Sequence, residues 1–176
     1  MHVRGLLTIE RFREWGPVPV RLIVGYGFLA HGLAKLQKGP EKFVAIVDAI
    51  GVPLPWFMAW LTIGVELFCG IALLAGAFVT LAAIPMAAVL LVAMFTVHIQ
   101  YGFTSIKLMA VTSAGPEFGP PGIETNLLYL ACLAMLVLTG PGPCAVDNRI
   151  GSKLARRPRR ARRARRDDFG SAGMRK

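Results

Sequence analysis

Leu67 to Ile106, LFCGIALLAGAFVTLAAIPMAAVLLVAMFTVHIQYGFTSI, is the stretch that decides the fold: forty consecutive residues carry no formal charge, from the neighbour of Glu66 to the neighbour of Lys107. As one helix it would run about 60 Å, twice the thickness of a hydrocarbon core, so it must fold back at least once. The glycine of Leu74-Ala75-Gly76-Ala77 is the natural break, which predicts one membrane span over 53–76 and the next over 78–101. Neither segment has a polar face of the kind that a water-exposed helix of a soluble domain carries.

Upstream of this stretch, Gly16-Pro17-Val18-Pro19 places two prolines where the first turn of a helix tolerates them, and a span over 18–36 follows. Downstream, residues 123–140 form a fourth apolar segment, stopped by Gly140-Pro141-Gly142-Pro143. The fold class read from the chain is all-α, an integral membrane four-helix bundle over residues 18–146, with a leader at 1–17 and a disordered basic C-terminal tail at 147–176. Composition agrees: 55% of the 176 residues are hydrophobic and 17% charged, where a soluble domain has about a quarter charged. Three cysteines without a Cys-x-x-Cys pair exclude a disulfide framework and a dithiol mechanism. Histidines at 2, 31 and 98 are too scattered to predict a metal site. Phosphate-loop, dinucleotide and serine-elbow motifs are absent from the sequence.

The net charge of +10 suggests a polyanion-binding protein until it is placed along the chain. Residues 147–176 hold twelve basic and three acidic side chains, leaving the first 146 residues nearly neutral. A run such as Arg156-Arg157-Pro158-Arg159-Arg160 reads as a solvated segment drawn to anionic lipid headgroups, with no nucleic acid expected. Four spans, an even number, put both termini on one side, and basic residues beside spans stay in the cytoplasm, so Arg4, Arg11 and Arg13 of the leader, together with the tail, predict both termini cytoplasmic. The loops 37–52 and 102–122 then face outward, and Trp15 and Trp56 fall at opposite ends of the first two spans as interfacial anchors.

Ionisable residues within spans are costly and are functional candidates by default. They are Arg21, His31 and Lys35 in the first span, Glu66 in the second, His98 in the third, and Glu124 at the mouth of the fourth. By height, Glu66 lies near the midplane, with His31 as its first expected partner and Arg21 as its second. His31 and Lys35, four apart, share a face, and His98 and Glu124 come near the same outer surface. These groups predict a polar pocket in the outer half of the bundle. Each also has a structural reading: Arg21 as a topology anchor, Lys35 as a helix-end lysine reaching the interface, His98 as a solvated side chain, and Glu66 as half of a structural pair.

Several of these residues carry a family resemblance. Arg21 with Gly25-x-x-Phe28-x-x-His31-Gly32-x-x-Lys35-Leu36 resembles the opening signature of the DoxX family of small bacterial membrane proteins. Gly51-Val52-Pro53, Glu66-x-x-x-Gly70 with Gly76, Gly102-Phe103-Thr104-Ser105-Ile106-Lys107-Leu108, the loop from Phe118 to Tyr129, and Gly140-Pro141-Gly142 with Asp147 extend it from about Arg21 to Ile150. One departure is Cys69-Gly70, where relatives often have two glycines.

The resemblance implies four helices in the bacterial inner membrane and, through members related to the DoxD subunit of thiosulfate:quinone oxidoreductase, a link to membrane redox chemistry. It does not extend to the Arg-rich tail. The leading expectation is a redox-associated protein that binds a quinone in the outer pocket. In it His31 and Glu66 handle protons, Arg21, Lys35, His98 and Glu124 serve cofactor binding, and electrons come from a sulfur compound or a partner subunit. The alternatives are a non-enzymatic scaffold acting through the tail and, third, a small-molecule or proton transporter.

Overall fold

The computed structural model describes residues 12–148; the basic tail from Arg149 onward and the first eleven residues of the leader lie outside them. Apolar sequence gives long helices, glycine and proline mark most of their ends, and one proline, Pro85, lies inside a helix. Helix α1 is Pro17–Lys38, α2 Pro40–Ala49, α3 Pro55–Ala75, α4 Val79–Ala93 and α5 Glu124–Thr139. A π turn, Met94–His98, and a 3-10 turn, Ile99–Tyr101, prolong α4. Two helical stretches, Pro55–Ala75 and Val79–Tyr101, are long and apolar enough to cross a membrane.

Helices α1, α3, α4 and α5 share one core, in which Val24, Phe28, Leu73, Met86, Leu133 and Leu136 are buried. The closest crossing is between α1 and α3, and small residues permit it. A β-carbon on Gly25 would lie 2.9 Å from the Gly70 carbonyl oxygen, and one on Gly70 would lie 2.9 Å from the Leu29 nitrogen. The backbones therefore touch where side chains would otherwise hold helices 8–10 Å apart.

At one end of the helices, Gly76 adopts φ +68 and terminates α3, with the Gly76 N–H donating to Leu73 O and the Ala77 N–H to Ala72 O. The chain then re-enters a helix through Phe78, a bulky residue at φ 50, a conformation that costs about 1–2 kcal/mol. Asp147 offsets that strain. Its Oδ1 accepts from Phe78 N–H at 2.7 Å and its Oδ2 from Val79 N–H at 3.1 Å, while its own N–H donates to Gly76 O. A carboxylate from the far end of the chain thus caps α4 and complements its dipole. Asp147→Ala is expected to destabilise the protein by about 1 kcal/mol, the usual worth of a helix cap, seen as a lowered Tm in thermal unfolding of the detergent-purified protein. Asp147→Asn, which keeps an acceptor, should lose less.

Two expectations need correction at the other end. The segment 37–52, read as a loop, is largely helix α2. Phe43, Ile46, Val47 and Ile50 recur at helical spacing, with Glu41, Lys42 and Asp48 exposed on the other side. The fold is also not purely helical, because the 102–122 loop contains a hairpin. Strands β1, Leu108–Thr112, and β2, Gly115–Phe118, pair antiparallel with an irregularity between Leu108 and Ala110. Gly115 at φ +124 and the Thr112 hydroxyl, which donates to Gly115 O and accepts from Ala114 N–H, build its turn. Every residue of β1 is exposed, so no buried alternation marks the strand in the sequence.

Candidate functional site

The site is built where α1 crosses α3. Side chains on a helix lean toward its N-terminus, and α1 and α3 run antiparallel, so Lys35 on α1 and Glu66 on α3 lean toward each other. Gly32, where a β-carbon would sit 3.1 Å from Glu66 Cβ, keeps the helices close enough for them to meet. Lys35 Nζ donates to Glu66 Oε1 at 2.5 Å and to Oε2 at 2.6 Å. The carboxylate side chain is 7% exposed and the lysine 21%. From α2, the Phe43 ring packs against the ammonium, 4.7 Å from ring centroid to Nζ.

Glu66 is therefore paired with Lys35, and neither of its expected partners, His31 and Arg21, holds it. Height alone misassigned the pair, because Gly32 of α1 lies level with Glu66 and the long stem of Lys35, three residues further on, leans back to meet the carboxylate. Arg21 does not belong to the site at all. It lies about 21 Å along α1 from Lys35, buried against Gly76, with Nη1 donating to Pro141 O at 2.9 Å. There it ties α1 to the segment that follows α5.

The ion pair stands in a wall shared by two cavities. The smaller, about 230 Å³, is lined by His31, His98, Asn126 and Tyr129 as well as by Lys35 and Glu66. The larger, about 710 Å³, lies between α2, α3 and α4 and is almost wholly apolar away from the pair and His98. His98 borders both, at the end of the π turn. Its Nδ1 lies 3.0 Å from Pro121 O. A carbonyl can only accept, so Nδ1 carries a proton in this contact, and in the neutral ring Nε2 is the acceptor.

Glu124 lines neither cavity. Its Oε2 accepts from Ser105 N–H at 2.9 Å, while Ser105 Oγ receives the Thr125 N–H and hydroxyl. Glu124 thus closes the 102–105 loop onto the start of α5 and positions Pro121 and Gly122, which do line the smaller cavity. His31, though largely exposed, faces that cavity. The structure gathers His31, Lys35, Glu66 and His98 and leaves Arg21 and Glu124 elsewhere.

Two contributors were missed in the sequence. Asn126 is buried and donates from Nδ2 to Leu90 O at 3.4 Å. Tyr129 packs edge-on against Phe28, with ring centroids 5.8 Å apart. Thr125, Asn126 and Tyr129 lie at helical spacing, and that pattern of polar groups on one face was the available signal.

A chemistry follows from this arrangement. One amine donor, one carboxylate, an imidazole with a free acceptor nitrogen and a second imidazole surround a space open to both polar and apolar molecules. Such a set can hold a carbonyl group and exchange protons with it.

Comparison with known proteins places the chain among relatives. The family model described as DoxX matches residues 16–99. An "Uncharacterized protein" of Haemophilus influenzae is 30% identical over 83% of this chain and 98% of its own length. An uncharacterized membrane protein of Mycobacterium tuberculosis is 30% identical over 76% of this chain and 80% of its own length. A Bacillus subtilis protein bearing the name "Putative oxidoreductase CatD" is 33% identical over 76% of this chain and 86% of its own length. No solved structure matches the chain.

Proposed function

The chain belongs to the DoxX family and is a membrane protein, and on that footing we propose that it is a redox-associated protein of the bacterial inner membrane that binds a quinone head at the Lys35–Glu66 pair. In this reading α1, α3, α4 with its extension, and α5 are four spans, both termini are cytoplasmic, and the pair and its cavities lie in the outer half. The name carried by the Bacillus subtilis relative favours oxidoreductase chemistry. The observation that carries the reading is the ion pair in the wall between a polar and an apolar cavity.

The residues present suit such a head. It is planar and uncharged, with carbonyl oxygens that accept hydrogen bonds, and Lys35 supplies a donor beside it. When bound, a quinone takes up two electrons, from a reduced sulfur compound or a partner subunit, and two protons to become a quinol. Lys35 orients a carbonyl oxygen, and Glu66 holds the lysine in place and passes protons. His31, at the exposed side of the smaller cavity, connects the pair to water. His98 Nε2 accepts a hydroxyl proton on the reverse path.

Titration of the purified protein in nanodiscs with menadione, a quinone without a tail, tests this. Saturable binding is expected, weakened tenfold or more by Glu66→Gln and by His31→Ala. Failure of the wild-type protein to bind, or affinities untouched by both substitutions, would contradict the proposal. Deleting residues 153–176 should leave binding intact; a scaffold working through the tail would instead lose its partners while quinone binding was never present.

A further inference from the structure

The larger cavity has no role in the chemistry above, yet it is three times the volume of the smaller and touches the same ion pair. Its size falls in the range of cavities that enclose a whole organic ligand. Its roof is helix α2, whose Phe43, Ile46, Val47 and Ile50 all face into it. Its rim residues Ile46, Leu61 and Val92, from α2, α3 and α4, are each about half exposed. In a chain that sits in a bilayer, such a rim opens sideways to lipid rather than to water.

The charge at the inner wall restricts the occupant. Lys35 and Glu66 neutralise each other, and a further charge placed beside them would enter an apolar space without a counter-ion. The head that reaches them is therefore uncharged, which excludes the phosphate of a phospholipid. Apart from His98, the rest of the cavity offers only apolar walls and two threonines, Thr62 and Thr96.

We infer that this cavity is a lateral site for the isoprenoid tail of the membrane-soluble molecule whose uncharged head is held at Lys35, with α2 as its roof at the membrane surface. The inference rests on the proposed quinone site for the identity of the head, and it adds how the ligand enters and what selects it. Entry is from the lipid, between α3 and α4 beneath α2. Small polar reactants reach the same head through the smaller cavity, at whose exposed side His31 lies.

Ala88→Trp tests it, because Ala88 lines the larger cavity and not the smaller. The probes are menaquinone-4, menadione and geranylgeraniol, the last a tail without a quinone head, each titrated into nanodiscs holding wild-type or variant protein. Ala88→Trp is expected to weaken menaquinone-4 and geranylgeraniol tenfold or more and to leave menadione unchanged. The unchanged menadione affinity also shows that the variant is folded; Met58→Trp, which fills the same cavity from α3, replaces it if Ala88→Trp does not fold. Equal binding of the tailed probes by wild type and variant overturns the inference, as does displacement of geranylgeraniol by phosphatidylglycerol at equal concentration. If neither quinone binds the wild-type protein, the head assignment fails. The tail site then stands or falls on geranylgeraniol alone: bound by wild type and not by the variant, it stands; bound equally or not at all, it falls.

Discussion

Lys35→Met is expected to destabilise the protein by about 3 kcal/mol, the lower end of what removing one partner of a buried ion pair costs. The substitution leaves the Glu66 carboxylate, 7% exposed, among apolar helices without its cation. Glu66→Met should cost less, because Lys35 is 21% exposed and its flexible stem can carry the ammonium toward the membrane surface. The double variant Lys35→Met, Glu66→Met removes both charges and fills the space with apolar side chains of suitable length. It should return to within about 1 kcal/mol of the wild type, because exchanging a whole buried pair for hydrophobic residues is often neutral. Thermal unfolding of the four proteins in one detergent closes the cycle. Additive losses would mean that the two residues do not act as a pair.

The other large effect lies one turn away. Gly70→Val places a branched side chain where even a β-carbon would be 2.9 Å from the backbone nitrogen of Leu29 and 3.0 Å from the carbonyl oxygen of Gly25. Backbone cannot swing aside as a side-chain tip can, so α1 and α3 must separate, at a cost of about 3 kcal/mol or more. The separation also withdraws Lys35 from Glu66. Thermal unfolding in the same detergent should show a clearly lowered Tm for Gly70→Val and a smaller loss for Gly70→Ala. An unchanged Tm for Gly70→Val would show that the crossing tolerates a side chain.

The helix ends were legible because single residues fix them. Gly76 must take a left-handed conformation to end α3, and Gly140, at φ 82, does the same after α5. The candidates His31, Lys35, Glu66 and His98 were legible because an ionisable side chain in an apolar segment is conspicuous. Their pairing was not, since it depends on which way side chains lean and on how near Gly25, Gly32 and Gly70 let the backbones come. Glu124 and Arg21 misled for a related reason. Each is a costly group that the fold uses to tie segments together, Glu124 through Ser105 and Arg21 through Pro141. Asp147, read as part of the tail, caps a helix nearly seventy residues earlier, a contact that no local pattern announces. Helix α2 was written in the spacing of Phe43, Ile46, Val47 and Ile50, and was missed because the segment is short and carries Lys38 and Lys42 at its start.

The central claim is that the Lys35–Glu66 pair is a ligand site and not only a clamp between two helices. Menadione binding to the Lys35→Met, Glu66→Met variant separates these roles, because that variant keeps its stability and loses only the donor and the carboxylate. A tenfold or greater loss of affinity, in a protein that unfolds at the wild-type temperature, is the predicted result. Menadione bound by the folded double variant as tightly as by the wild type would contradict the claim.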